Sequence, residues 1–181
     1  MKGPLGWIEV RVLVRVLAML AICAAVGASA TAAQVVHDEL DVVGVADYAW
    51  ALETLDGRSF SLAEYRGEVL VINAWATWCT PCVAELASLA ALREAVAGAG
   101  VRFLFVSPED REPVRRFVRR YGYGSLPVAV EDGRMPDAFG LSALPTTWII
   151  DRAGRIVLRH RGAADWNRPA LQDFLRYLAS S

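Results

Sequence analysis

Two cysteines, Cys79 and Cys82, stand two residues apart in NAWATWCTPC (residues 73–82), with Thr80 and Pro81 between them. A pair at this spacing can exchange disulfides, supply half of a zinc site, or act as a covalent staple. A structural zinc site needs four ligands. The third cysteine, Cys23, lies in a leader-like segment, and the two histidines, His37 and His160, fall in a linker and a late strand. A staple closing so short a loop removes little entropy from the unfolded chain. Redox exchange is the favoured reading. A thiol at a helix N-terminus meets the positive end of the helix dipole and unpaired N–H groups, which favour the attacking thiolate. Cys79 occupies that place, and Cys82 lies one turn inside, shielded but within reach. Cys79 would form a mixed disulfide and Cys82 would resolve it. Pro81 suits a first helical turn, where its missing N–H costs no hydrogen bond.

The elements around the pair must hold it at a strand-to-helix junction. VLVINAW (69–75) is a continuous apolar run, the signature of a parallel strand covered on both faces. From Cys79 to about Ala97 the chain reads as helix, with Val83, Leu86, Leu89, Ala90 and Val96 on one face. VRFLFVS (101–107) is a second buried strand, and PVRRFVRRYG (113–122) an amphipathic helix closed by Gly122. Upstream, YAWALETL and DGRS give a strand and turn, and SLAEYRG a short helical turn capped by Ser61 with Glu64 three residues on. Downstream come LPVAV, a helical turn near Pro136–Phe139, a hairpin of TTWIID and RIVLRHRG, and a last helix with Asn167 as its expected cap. Alternating strands and helices followed by a hairpin and a closing helix predict an α/β fold with a mixed central sheet.

The chain has 181 residues, 55% of them hydrophobic, and a formal charge of −1. That is one domain with a real core plus a short extra segment, and it offers no electrostatic footprint for nucleic acid. Lys2, Arg11 and Arg15 precede VLAMLAICAAV (16–26) and the small residues GASATAA (27–33), the layout of a secretory signal with an A-x-A cleavage site. An uncleaved anchor is the alternative, and a lipid anchor at Cys23 a minor one. Residues 1–33 are thus read as signal peptide or signal anchor, 34–45 as linker and 46–181 as the domain, facing a periplasmic or other extracytoplasmic space. Loss of the leader takes the net charge from −1 to −3.

WATWCTPC at a strand-to-helix junction, followed by ALPTTWIIDRAGRIV, resembles the thioredoxin superfamily. More narrowly, residues 46–179 are similar to the TlpA/ResA-like extracytoplasmic thiol–disulfide oxidoreductases. LDGRSFSLAEYRGEVLVINAWATWCTPC resembles the opening segment of that family, and 123–147 its insertion of strand and helix ahead of the proline strand. The resemblance implies a thioredoxin-like fold with an N-terminal extension, and further site residues. Pro145 would be a cis-proline facing the cysteines, and the backbone of Leu144 would pair with an extended substrate segment. Glu85, three residues beyond Cys82, matches an acidic residue that tunes the thiols and relays a proton. Trp78, with Thr80 and Pro81, would form the docking surface around Cys79. Many relatives place proline two residues after this glutamate; Ala87 stands there instead.

The function so implied is disulfide exchange with partner proteins, mainly as a reductant, with electrons from a membrane thiol carrier. In the resembled family the targets include apocytochrome c and copper-site assembly factors. No cofactor is implied, and a monomer is expected, membrane-bound only if the leader is retained. Three alternatives stand beside it. An oxidant of secreted proteins would use the same pair. A copper chaperone would bind Cu(I) through the thiols, although the related chaperones space their cysteines by three residues and add a histidine. A peroxidase would want a Pro-x-x-x-Thr-x-x-Cys approach, and Thr77 lies one residue too close to Cys79 for that. Arg115, Arg116, Arg119 and Arg120 read first as the polar face of a helix, and only second as a contact for an acidic partner.

Overall fold

The computed structural model describes residues 42–181. The leader, Cys23, the linker up to residue 41 and His37 lie outside the described residues. The strands are β1 (Gly44–Val45), β2 (Ala51–Thr54), β3 (Ser59–Ser61), β4 (Val69–Ala74), β5 (Val101–Ser107), β6 (Val128–Glu131), β7 (Thr146–Ile150) and β8 (Arg155–Arg161). Helices α1 (Thr80–Ala95), α2 (Arg111–Tyr121) and α3 (Pro169–Ser180) follow β4, β5 and β8.

All strands join one mixed sheet in the order β1-β8-β7-β4-β5-β6-β2-β3. β4, β5 and β6 are parallel, linked through α1 and α2, while β7 runs antiparallel to β4. The α/β mixed sheet expected from the sequence is present, including the strand and short helical turn (Asp137–Phe139) inserted ahead of β7. β1 forms one edge of the sheet by pairing with β8, so the sheet begins with the last two residues of the stretch read as linker.

Alternation along the central strands divides the core between two faces. Leu70, Ile72, Leu104, Trp148 and Ile150 pack with Trp50, Leu52, Leu62 and Phe139 in one cluster. Trp148 Nε1 donates to the carbonyl of Phe139 at 2.9 Å, which anchors the inserted turn on the sheet. Asn73 and Thr147, paired across β4 and β7, are buried polar residues in otherwise apolar strands. They mark the place where the core gives way to chemistry.

Local differences from the sequence expectation have local causes. In α1 the buried stripe is Cys82, Glu85, Leu86, Leu89 and Leu92, while Val83 and Ala90 lie half-buried beside it. The 3-10 turn Leu62–Tyr65 starts after Ser61, but that side chain makes no cap, and Glu64 pairs with Arg58 of the preceding hairpin at 3.1 Å. At α3 the cap position is Arg168; Asn167 accepts instead from Gln172 Nε2 at 2.9 Å. Gly122 ends α2 as expected, at φ 76°, a left-handed conformation that glycine adopts freely.

Candidate active site

The cysteine pair sits where β4 hands over to α1. Cys79 is the N-cap of α1, Pro81 falls in its first turn, and Cys82 is the third residue inside. The two are joined in a disulfide with Cα atoms 5.2 Å apart, a separation that a bridge spans without backbone movement. The Cys82 N–H also points at Cys79 Sγ, at 3.3 Å. Cys79 is 6% exposed and Cys82 0%, so an incoming partner meets Cys79 first. That asymmetry, the helix N-terminus and the N–H aimed at sulfur are what an attacking thiol and a shielded resolving thiol require.

Glu85 is 2% exposed, on the same buried stripe as Cys82 and one turn deeper into α1. Its Oε1 accepts from Asn73 Nδ2 at 2.8 Å. Its Oε2 accepts from the Ala164 N–H at 3.0 Å and from Trp166 Nε1 at 2.8 Å. Every partner is an N–H donor, the set that an acceptor-only carboxylate takes. Asn73 is held in turn, donating to Thr147 Oγ1 at 2.9 Å. Ser88 accepts from the Trp166 N–H at 3.2 Å and donates to the Glu85 carbonyl at 2.9 Å, so the segment after β8 is clamped to α1.

A second carboxylate fixes the approach to Cys79. Glu109, in the loop between β5 and α2, accepts from the Thr77 N–H at 2.6 Å and from Thr77 Oγ1 at 2.7 Å. Ser107 Oγ lies 3.2 Å from the same carboxylate. Thr77 and Trp78 thereby form a shoulder held from the neighbouring strand. Trp78 is 69% exposed, and Thr80 and Pro81 are exposed beside it.

The Leu144–Pro145 peptide is cis. Pro145 directly precedes β7, whose Thr146 pairs with Ala74 at the end of β4 that leads to the cysteines. Pro145 is buried, and its carbonyl accepts from the Gly162 N–H at 2.9 Å. Among the described residues neither backbone group of half-buried Leu144 has a hydrogen-bond partner. No three His, Cys, Asp or Glu side chains among the described residues cluster in a way that could hold a metal ion. His160 is exposed and meets Trp166 edge-on at 5.3 Å.

All the site residues expected from the sequence on α1 and the proline loop therefore gather at one end of the sheet. Sequence reasoning missed Asn73, Thr147, Trp166 and Glu109. A polar Asn inside VLVINAW was the one available signal, since a buried strand carries such a residue only with a partner. The other three act across the fold, and no local pattern marks them.

A sheet of this topology, ending in a bridged CxxC at a helix N-terminus beside a cis-proline loop, defines a thioredoxin-like thiol–disulfide oxidoreductase. Residues 43–159 match the AhpC/TSA family, and the chain belongs to that family. It is 30% identical over 148 residues to the thiol-disulfide oxidoreductase ResA of Geobacillus thermodenitrificans, covering 81% of this chain and 84% of the relative. The ResA of Bacillus thuringiensis subsp. konkukian is 26% identical over 168 residues, covering 92% and 95%. Among solved structures, the exposed lipoprotein thioredoxin Etrx1 of Streptococcus pneumoniae superposes with a TM-score of 0.54 at 26% identity, over 73% of this chain and 98% of that one.

Proposed function

We propose that this protein works outside the cytoplasm as a reductant of disulfides in partner proteins. The observation that carries the exchange itself is the asymmetry of the pair: Cys79 is reachable, while Cys82 is enclosed on the same helical stripe as Glu85. The reductant direction rests on buried Glu85 and the family resemblance. In the reduced protein the Cys79 thiolate attacks one sulfur of a partner disulfide. A Cys79–partner bond forms and the other partner sulfur leaves as thiolate. Cys82 then gives up its proton and attacks Cys79 Sγ, releasing the second partner sulfur. The partner gains two electrons and becomes a dithiol, and the pair closes to the disulfide.

Glu85 is the proposed acceptor of the Cys82 proton. A carboxylate has about four acceptor positions, and N–H donors occupy three. Oε1, which takes only Asn73, has room for the thiol hydrogen. Leu144 offers its free backbone groups to an extended segment of the partner, as an added strand would use them. Pro145, with no N–H, leaves the rim clear of one donor, and Trp78, Thr80 and Pro81 form the contact surface around Cys79.

The basic and apolar leader supports export, with residues 1–33 cleaved or kept as an anchor, 34–45 as linker and a domain from about residue 46. Electrons come from a membrane thiol carrier. The family resemblance favours apocytochrome c cysteines or copper-site assembly factors as targets, and a monomer as the working form. Trapping thiols in living cells reads the steady state of the pair, and Cys82→Ser captures the partner as a mixed disulfide. A mainly reduced pair with a cytochrome or copper protein captured is the expected result. A mainly oxidised pair holding unfolded secreted proteins would make the protein an oxidant.

A further inference from the structure

An open groove of about 770 Å³ runs along α2. Pro113, Phe117 and Tyr121 line it with apolar surface, and Thr77, two residues before Cys79, lines it too. The aromatic floor is continuous with the active-site loop: Trp75 lies 5.3 Å from Phe117, and Phe117 4.6 Å from Tyr121. Three more lining residues are Arg116, Arg119 and Arg120, and no carboxylate lines the groove.

Two nearby acids, Glu109 and Glu112, are already engaged, while exposed Asp110, the N-cap of α2, makes no side-chain cap and does not line the groove. Glu112 pairs with Arg115 at 2.5 Å and with Arg116 at 3.6 Å, and Glu109 is bound to Thr77 and Ser107. Arg111, at the start of α2, pairs with Glu53. The side chains of Arg119 and Arg120 have neither an ion pair nor a hydrogen bond among the described residues; the Arg120 guanidinium only sits 5.7 Å from the Tyr121 ring. An ordinary solvated helix face keeps its aromatic residues turned inward. Here Tyr121 is 57% exposed, and Trp78, next to Thr77, is 69% exposed.

We propose that this groove is a docking surface for an acidic, extended segment of the protein whose disulfide reacts with Cys79. The inference rests on the exchange reading above and names the partner's chemistry. The helix from Pro113 to Tyr121 is about 12 Å long at ~1.5 Å per residue, which matches about four residues of extended chain at ~3.3 Å each. Arginine forks take carboxylates in pairs, and the aromatic floor takes the apolar part of the segment. Thr77 ties this surface to the cysteines, because Glu109 holds it from the loop that leads into α2.

The test mixes the reduced protein with disulfide peptides of one frame carrying about four acidic, neutral or basic residues, the length the groove accommodates. Each rate is divided by the rate of the same protein with hydroxyethyl disulfide, a small uncharged substrate. At low salt the acidic peptide is expected to exceed the basic one by about tenfold in kcat/KM, and about 0.5 M salt should erase most of that gap. The double variant Arg119→Glu/Arg120→Glu should invert the preference, and Arg119→Gln/Arg120→Gln should flatten it. Equal normalised rates for acidic and basic peptides, or a preference that neither variant moves, would overturn the proposal. So would tight binding to phosphatidylglycerol vesicles without peptide preference, which would make the groove a membrane contact. No reaction with hydroxyethyl disulfide would sink the exchange reading itself, and the docking segment with it.

Discussion

The carboxylate of Glu85 receives a 2.8 Å hydrogen bond from the indole of Trp166, a residue 81 positions further along the chain. Both side chains are buried, and the bond joins α1 to the segment that follows β8. A carboxylate in such a place is kept by its donors, because an unpaired buried charge is costly.

Trp166→Phe keeps an aromatic ring, though a smaller one, and deletes that donor. The expected cost is about 1–3 kcal/mol of stability, read from the denaturant midpoint. Mixed disulfides trapped on Cys79 should also last longer, because Glu85 loses one of the contacts that aim it. Glu85→Gln should slow their resolution further, by about 10²-fold if the carboxylate moves the Cys82 proton. Resolution at the native rate in Glu85→Gln would remove Glu85 from the mechanism.

Thr77→Val preserves shape while removing the hydroxyl that donates to Glu109 at 2.7 Å. A loss of about 1 kcal/mol is expected. Glu109→Ala removes the backbone contact as well, and amide exchange at Thr77 should then speed up. An unaltered exchange rate would mean that the shoulder is held by something else.

Glu131 gives a pH signature. Burial raises its carboxyl above the ordinary range, and the Met135 N–H pulls it the other way. An acid with a higher pKa in the folded state binds more protons there. Its contribution is therefore full below the unfolded value, ~4.3, and is lost as pH rises through the folded one. Glu131→Gln removes that dependence, so the variant should gain on the native protein as pH rises from about 4 to about 7. Two stability curves that stay parallel would refute the assignment.

Leu92 tests the corrected face of α1. It is fully enclosed, whereas Val83 is only half-buried. Leu92→Ala should cost about 2–5 kcal/mol, and Val83→Ala clearly less. Equal losses in thermal unfolding would show that the helix is rotated from the face described.

Much of this molecule was legible in advance because its signals are local. A run that is apolar but for Asn73, such as VLVINA, can lie buried on both faces, and it became β4. Cys79, Pro81 and Gly122 stand where helix starts and stops are chemically favourable, and each occupies that place. The expected caps at Ser61 and Asn167 fared differently. A short polar side chain has several partners within reach: Asn167 takes Gln172, five residues on, and Glu64, the expected capping-box partner of Ser61, takes Arg58 instead.

The sequence by itself determined the sheet's central strands and the junction that carries the cysteines, with Cys79 at the helix start. Only the tertiary structure decided how Glu85 is held, through Asn73, Ala164 and Trp166, and that Glu109 locks the shoulder before Cys79. It also brought the unpaired arginines of α2 into one groove with Thr77. The physical reason is range: helix starts and strand burial follow from neighbours a few residues away. Hydrogen bonds to a buried carboxylate instead come from wherever the packed chain passes, and no local period records that.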